Sequence, residues 1–227
     1  MKNIVLSILL MSACAMIYAQ ADSSPYQAIV AVDGSGDYKT VQEAINAVPD
    51  GQTKPWLILI KNGLYNEQVI IPKNKPYVHL IGQDKDKTII HLNLNVGSKL
   101  TGKEIGGKTA YWEHSVHNPS SPVYKYEGSV VVKGDHFYTE NISYVNDWGV
   151  LSDNGPQALA LNTKEDRVVF NKCGMYSYQD TWITTSISNA RCYAKDCFIE
   201  GAVDFIYNSG NYKLAFSPAM QETLQAH

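Results

Sequence analysis

Cysteine is scarce: there are four in 227 residues, none in a CxxC pair and none at zinc-site spacing. That argues against a metal centre and against a disulfide framework. Charge of either sign is also in short supply. The net charge is −3, too little to make the basic footprint of a nucleic-acid binder. The apolar runs are all shorter than the ~20 residues that a membrane-spanning helix needs. No Gly-x-Ser-x-Gly elbow supports serine-esterase chemistry, and no P-loop or dinucleotide fingerprint is present. Only one segment has helical period, which disfavours a doubly wound α/β fold.

What remains is the composition of a globular protein, 44% hydrophobic and 18% charged, too apolar for disorder. The length fits one domain of ordinary size. Tyrosine is abundant, at 15 residues beside 4 tryptophans. Strand propensity accounts for this, and the alternative is flat rings that pack on sugar faces.

The amino terminus reads as a secretory signal peptide over residues 1–21. Lys2 gives the positive region, Ile4 to Met11 the apolar run, and Ala19-Gln20-Ala21 the cleavage region. The expected location is therefore periplasmic or extracellular. One competing reading is an imperfect lipobox, Met11-Ser12-Ala13-Cys14. A lipidated Cys14 is the only case in which a membrane is a partner. If Cys14 leaves with the leader, Cys173, Cys192 and Cys197 remain, an odd set read as buried thiols.

Past the leader, Thr40 and Glu43 form a capping box. Val41, Ala44, Ile45 and Val48 make one apolar stripe, and Pro49 ends the helix. From Trp56 onward short β-branched or aromatic runs take over, separated by Gly, Asn, Asp and Lys. They are Trp56–Ile60, Tyr77–Ile81, Thr88–Leu92, Ser129–Val132, Ala158–Leu161 and Arg167–Phe170. Residues 103–128 form a longer excursion rich in Tyr, Trp and His, either a binding-face loop or a cover over the wall.

These runs repeat. Val169-Phe170-Asn171-Lys172-Cys173 parallels Tyr193-Ala194-Lys195-Asp196-Cys197, and Phe137–Asn141 resembles the same slot at a longer spacing. Asp180 and Asp204 are one period apart, and Gln157 lies almost one period before Asp180. A period in the low twenties with several strands predicts a parallel β-helix. Same-slot residues then stack about 4.8 Å apart. Two carboxylates that close titrate as a unit and supply one acid and one anion. A nearby amide, from Gln157 or Gln179, could stabilise an oxyanion. A purely structural Asp ladder is the other reading of the same spacing.

At these residues the chain resembles the pectin methylesterase family. The resemblance spans Val32–Ile45, Gly63-Leu64-Tyr65-Asn66-Glu67, Gln157–Leu161, Tyr178-Gln179-Asp180-Thr181 and Gly201–Tyr207, in order. It implies an all-β fold, a right-handed single-stranded parallel β-helix of the pectin-lyase-like type with a short N-terminal capping helix. It implies an aspartyl esterase acting on methyl-esterified pectin (homogalacturonan), with no metal or cofactor. Asp204 matches the nucleophile, Asp180 the general acid, Gln157 the oxyanion donor and Gln179 its helper. Tyr65, Tyr178, Thr181 and Phe205, within the same motifs, are expected to contact substrate. The expected boundaries are residues 22–208 for the helix and 209–227 for a divergent tail. The family's later Leu-Gly-Arg-Pro-Trp element is absent, so impaired activity is expected, and a monomer only when complete. The alternatives are a non-catalytic polysaccharide-binding solenoid and a related β-helix thioesterase.

Overall fold

The computed structural model describes residues 24–93, 128–148, 157–184, 190–208 and 211–215. The leader, Cys14, nearly all of the 103–128 excursion and the chain after Ala215 lie outside the described residues.

Helix α1 spans Val41–Ala47. Thr40 caps it by accepting from the Glu43 amide, and Glu43 reaches back to the Thr40 amide. The strands form three parallel sheets, visited in rotation from β2 onward. The first sheet holds seven: β1 (Ala28–Val30), β2 (Trp56–Ile60), β5 (Val78–Gly82), β8 (Tyr138–Glu140), β11 (Val168–Asn171), β14 (Arg191–Lys195) and β17 (Asn211–Ala215). The second holds β3 (Gly63–Asn66), β6 (Thr88–His91), β9 (Ser143–Val145), β12 (Gly174–Tyr176) and β15 (Phe198–Glu200). The third holds β4 (Val69–Ile71), β7 (Val130–Val132), β10 (Leu161–Thr163), β13 (Trp182–Thr184) and β16 (Ile206–Asn208). From β2 to β16 each coil adds one strand to each sheet, which is a parallel β-helix, and β1 and β17 extend the first sheet at its two ends.

Alternation along each strand sends every second side chain inward. The inward columns follow from the register. Ile58, Leu80, Thr139, Phe170, Ala194 and Leu214 stack in the first sheet. Tyr65, Ile90, Tyr144, Met175 and Ile199 stack in the second. Val69, Val130, Leu161, Trp182 and Ile206 stack in the third. Phe170 lies at the centre, 6.2 Å from Phe137, 6.2 Å from Tyr144 and 5.6 Å from Trp182. Helix α1 covers the first coil with Val41, Ala44 and Ile45 buried.

The corners turn on left-handed residues. Tyr77, His136 and Arg167 have positive φ before the first sheet, and Asn141, Lys172 and Asp196 after it. Asp180 and Asp204 do so between the second and third sheets. A non-glycine residue there costs about 1–2 kcal/mol, least for Asn and Asp, whose short polar side chains tolerate it.

Four details depart from the sequence reading. The Phe137–Asn141 unit is offset by one residue, because Tyr138, not Phe137, pairs with Val169. The Ala158–Leu161 strand starts later, at Leu161. The helix does not stop at Asn208: Asn211–Ala215 pairs in register with Arg191–Lys195 and extends the first sheet. Asn208 itself is the last residue of β16 rather than a break in the pattern. Cys173, Cys192 and Cys197 are buried free thiols.

Replacing Phe170 with alanine removes the ring shared by three aromatic contacts. Unfolding in denaturant should show a loss of about 3–5 kcal/mol.

Candidate active site

The corner between the second and third sheets collects the carboxylates. The bond from Asp180 N to Val203 O is 3.0 Å, and the bond from Trp182 N to Phe205 O is 3.0 Å. Gln179 and Val203 form a parallel bridge between these coils. This register puts Asp180 and Asp204 in one slot of adjacent coils, with left-handed φ of 60° and 46°. Asp180 is half-buried and Asp204 exposed. Burial raises the Asp180 carboxyl above the ordinary aspartate range, and the charge of Asp204 adds to it. Gly201 lets the corner close: a Cβ there would stand 2.5 Å from Thr181 Oγ1 and 2.6 Å from Phe205 Cβ.

The preceding coil brings in Gln157. Ala158 N donates to Gln179 O at 3.1 Å, the same form of bond that Asp180 N makes to Val203 O. Ala158 therefore occupies the Asp180 slot, and exposed Gln157 falls opposite Gln179. The sequence spacing had put Gln157 itself in that slot, and the register moves it by one. Gln157 and Gln179 therefore share one slot, immediately before the slot of Ala158 and Asp180.

The expected substrate contacts divide. Phe205 is 44% exposed, and half-buried Tyr178 holds the corner, its carbonyl accepting from Ala202 N and Val203 N. Tyr65 and Thr181 are not available. Tyr65 is 2% exposed in an inward column, and its hydroxyl donates to Lys61 O at 2.8 Å. Thr181 is 0% exposed, and its hydroxyl donates to Glu200 O at 2.8 Å. Arg191, which lies between the two aspartates in sequence, faces elsewhere. Its Nε and Nη2 grip Asp166 at 2.9 and 2.5 Å.

The structure also explains the Gly-x-Tyr-x-Glu element. Glu67 accepts from Val41 N at 2.7 Å and Gln42 N at 2.9 Å, the first free amides of α1. Its role is to seat the capping helix. Sequence reasoning also missed a polar group on the first three coils. His91, 4% exposed, has Nδ1 2.8 Å from Asn66 Oδ1 and Nε2 3.1 Å from Asp147 Oδ2. Asn93 donates to the other Asp147 oxygen at 2.7 Å. The long excursion separates His91 from Asp147 in the chain, so no spacing signalled the pair. Among the described residues, no group of three or more His, Cys, Asp or Glu side chains could hold a metal ion. No described helix is long and apolar enough to cross a membrane.

The three parallel sheets define a parallel β-helix with two aspartates stacked at one corner, and comparison with known proteins gives its family. The sequence model described as Pectinesterase matches residues 27–110 and 107–218. A probable pectinesterase/pectinesterase inhibitor from Arabidopsis thaliana is 36% identical over 180 residues, covering 79% of this chain and 27% of that protein. The structure of pectin methylesterase from carrot superposes with TM-score 0.65 and 31% identity, over 86% of this chain and 51% of that one. A pectin methylesterase in complex with a hexasaccharide matches at TM-score 0.65 and 25% identity, over 85% and 54%. The chain belongs to the pectinesterase family, and it spans about half the length of these solved structures.

Burial pushes the Glu67 carboxyl up from its ordinary 4.5 to about 7, against the two amide bonds that favour its charge. The folded state then holds a proton that the unfolded state releases, so stability falls as pH rises from about 4.5 through about 7. Comparing wild type with Glu67→Gln isolates this. The variant's curve of unfolding free energy against pH should be flatter by about 2–3 kcal/mol across that window.

Proposed function

We propose that this chain carries out the hydrolysis of galacturonate C6 methyl esters in pectin through an aspartyl mechanism. The Asp204 carboxylate attacks the C6 carbonyl carbon. Asp180, whose carboxyl is raised by burial and by the charge of its neighbour, acts as the acid: it gives a proton to the departing methoxide, and methanol leaves. Amide N–H groups of Gln157 and Gln179 stabilise the oxyanion. Asp180, now a carboxylate, takes a proton from water, whose oxygen attacks the acyl carbon. The new carboxyl of the sugar departs and Asp204 is restored. No metal or cofactor enters these steps.

The observation that carries this reading is the register of Asp180 on Asp204 at a corner where both hold left-handed backbone. The hexasaccharide complex of a relative and the exposed rings of Phe205 and Tyr207 support a polymeric sugar as substrate. The leader-like segment fits export to where that polymer lies.

Methanol release from methyl-esterified pectin tests the reading. Asp204→Asn should abolish it, and Asp180→Asn should lower kcat by about 10²–10⁴-fold, while both still bind the polymer. Turnover that survives in Asp204→Asn contradicts the mechanism. Binding without turnover in the wild type points instead to a binding solenoid.

A further inference from the structure

The polar group on the first three coils has no part in the proposed chemistry, yet it reaches toward it. Both ring nitrogens of His91 face acceptor oxygens, Asn66 Oδ1 at 2.8 Å and Asp147 Oδ2 at 3.1 Å. Burial of Asp147 acts to raise its carboxyl, but the bonds from His91 and Asn93 outweigh that and hold it below the usual range.

Asp147 lies inside a tight Asx turn. Asn146, 0% exposed, accepts from Trp148 N at 3.3 Å through Oδ1 and donates to Leu159 O at 2.9 Å through Nδ2. Asn146 N also donates to Tyr176 O at 2.9 Å. Leu159 is two residues from Gln157. The same Leu159 carbonyl accepts from Ser129 N at 3.0 Å, and the residues beside it are tied by Ala158 N to Gln179 O, Ser177 Oγ to Ala158 O and Ala160 N to Thr181 O. The next strand, β10, begins only at Leu161. The His91 contact that steadies Asp147 therefore steadies Asn146, the side-chain partner that shares the Leu159 carbonyl with Ser129 N.

We propose that buried His91 and half-buried Asp147 form a clamp that positions Gln157 through Asn146 and Leu159. They are positioning residues, not catalytic ones, and this role rests on the oxyanion reading of Gln157. A loosened segment lets the amide drift from the developing oxyanion, which costs turnover more than binding.

The test uses the full chain with Asp147→Ala, Asp147→Asn and, as a reference, Asp204→Asn. Kinetics on methyl-esterified pectin and hydrogen exchange of the peptide covering residues 157–161 are read together. Asp147→Ala should lower kcat by about 10–100-fold with KM within about threefold. It should raise exchange in that peptide while strands of the first sheet keep their protection. Asp147→Asn can still accept from Asn93 and donate to a neutral His91, so it should retain most of both. Three results overturn the clamp: unchanged exchange at 157–161 in Asp147→Ala, a change in KM alone, or an Asp147→Asn as damaged as Asp147→Ala. If Asp204→Asn turns over like wild type, the hydrolytic reading falls instead. The exchange comparison then still sustains or overturns the clamp.

Discussion

Parallel pairing of one coil on the next, about 4.8 Å apart, governs what any side chain in this molecule can do. A residue cannot choose its neighbour: the slot it occupies in one coil is laid over the same slot of the next. Where the slot faces inward, the result is a column such as Val69, Val130, Leu161, Trp182 and Ile206. Where it lies at a corner, the result is a row of left-handed residues. Two aspartates in such a row share a field, and burial adds to it unequally. Asp180 is the more buried, and its carboxyl is raised.

The same constraint explains which parts of the fold were legible. The capping box, the apolar stripe of α1 and most strand runs obey local periodicity, and they stand where the sequence put them. The 24-residue steps from Phe170 to Ala194 and from Trp182 to Ile206 were visible because no insertion interrupts those coils. Accuracy failed where the coil length changes. Between β10 and β13 the ladder tightens, so Gln157 lands opposite Gln179 and not in the Asp180 slot. Between β8 and β11 a longer connection moved Tyr138, not Phe137, onto Val169. A one-residue slip is invisible in a motif, yet it reverses the face a side chain presents.

Motif reasoning was weakest where a residue's type suits two jobs. Tyr65 and Glu67 sit in a recognisable element, but one fills an inward column and the other receives the free amides of α1. Thr181 belongs to the motif of Asp180 and points at a backbone carbonyl instead of a ligand. Arg191 is spent on Asp166, which sequence proximity to the aspartates could not reveal. The His91 and Asp147 pair left no trace at all, because the excursion between them hides their adjacency. The family features of the site are thus readable from residue types, whereas the supports around it need the register.

The central claim is that Asp180 and Asp204 share a field across one strand spacing. Carboxyl carbon NMR with labelled aspartate measures it most directly, following Asp180 through a pH titration in the wild type and in Asp204→Asn. The account predicts that Asp180 titrates above the ordinary aspartate range and moves down toward it when Asp204 loses its charge, with burial keeping part of the rise. An Asp180 that titrates in the ordinary range, or that does not respond to Asp204→Asn, would contradict it.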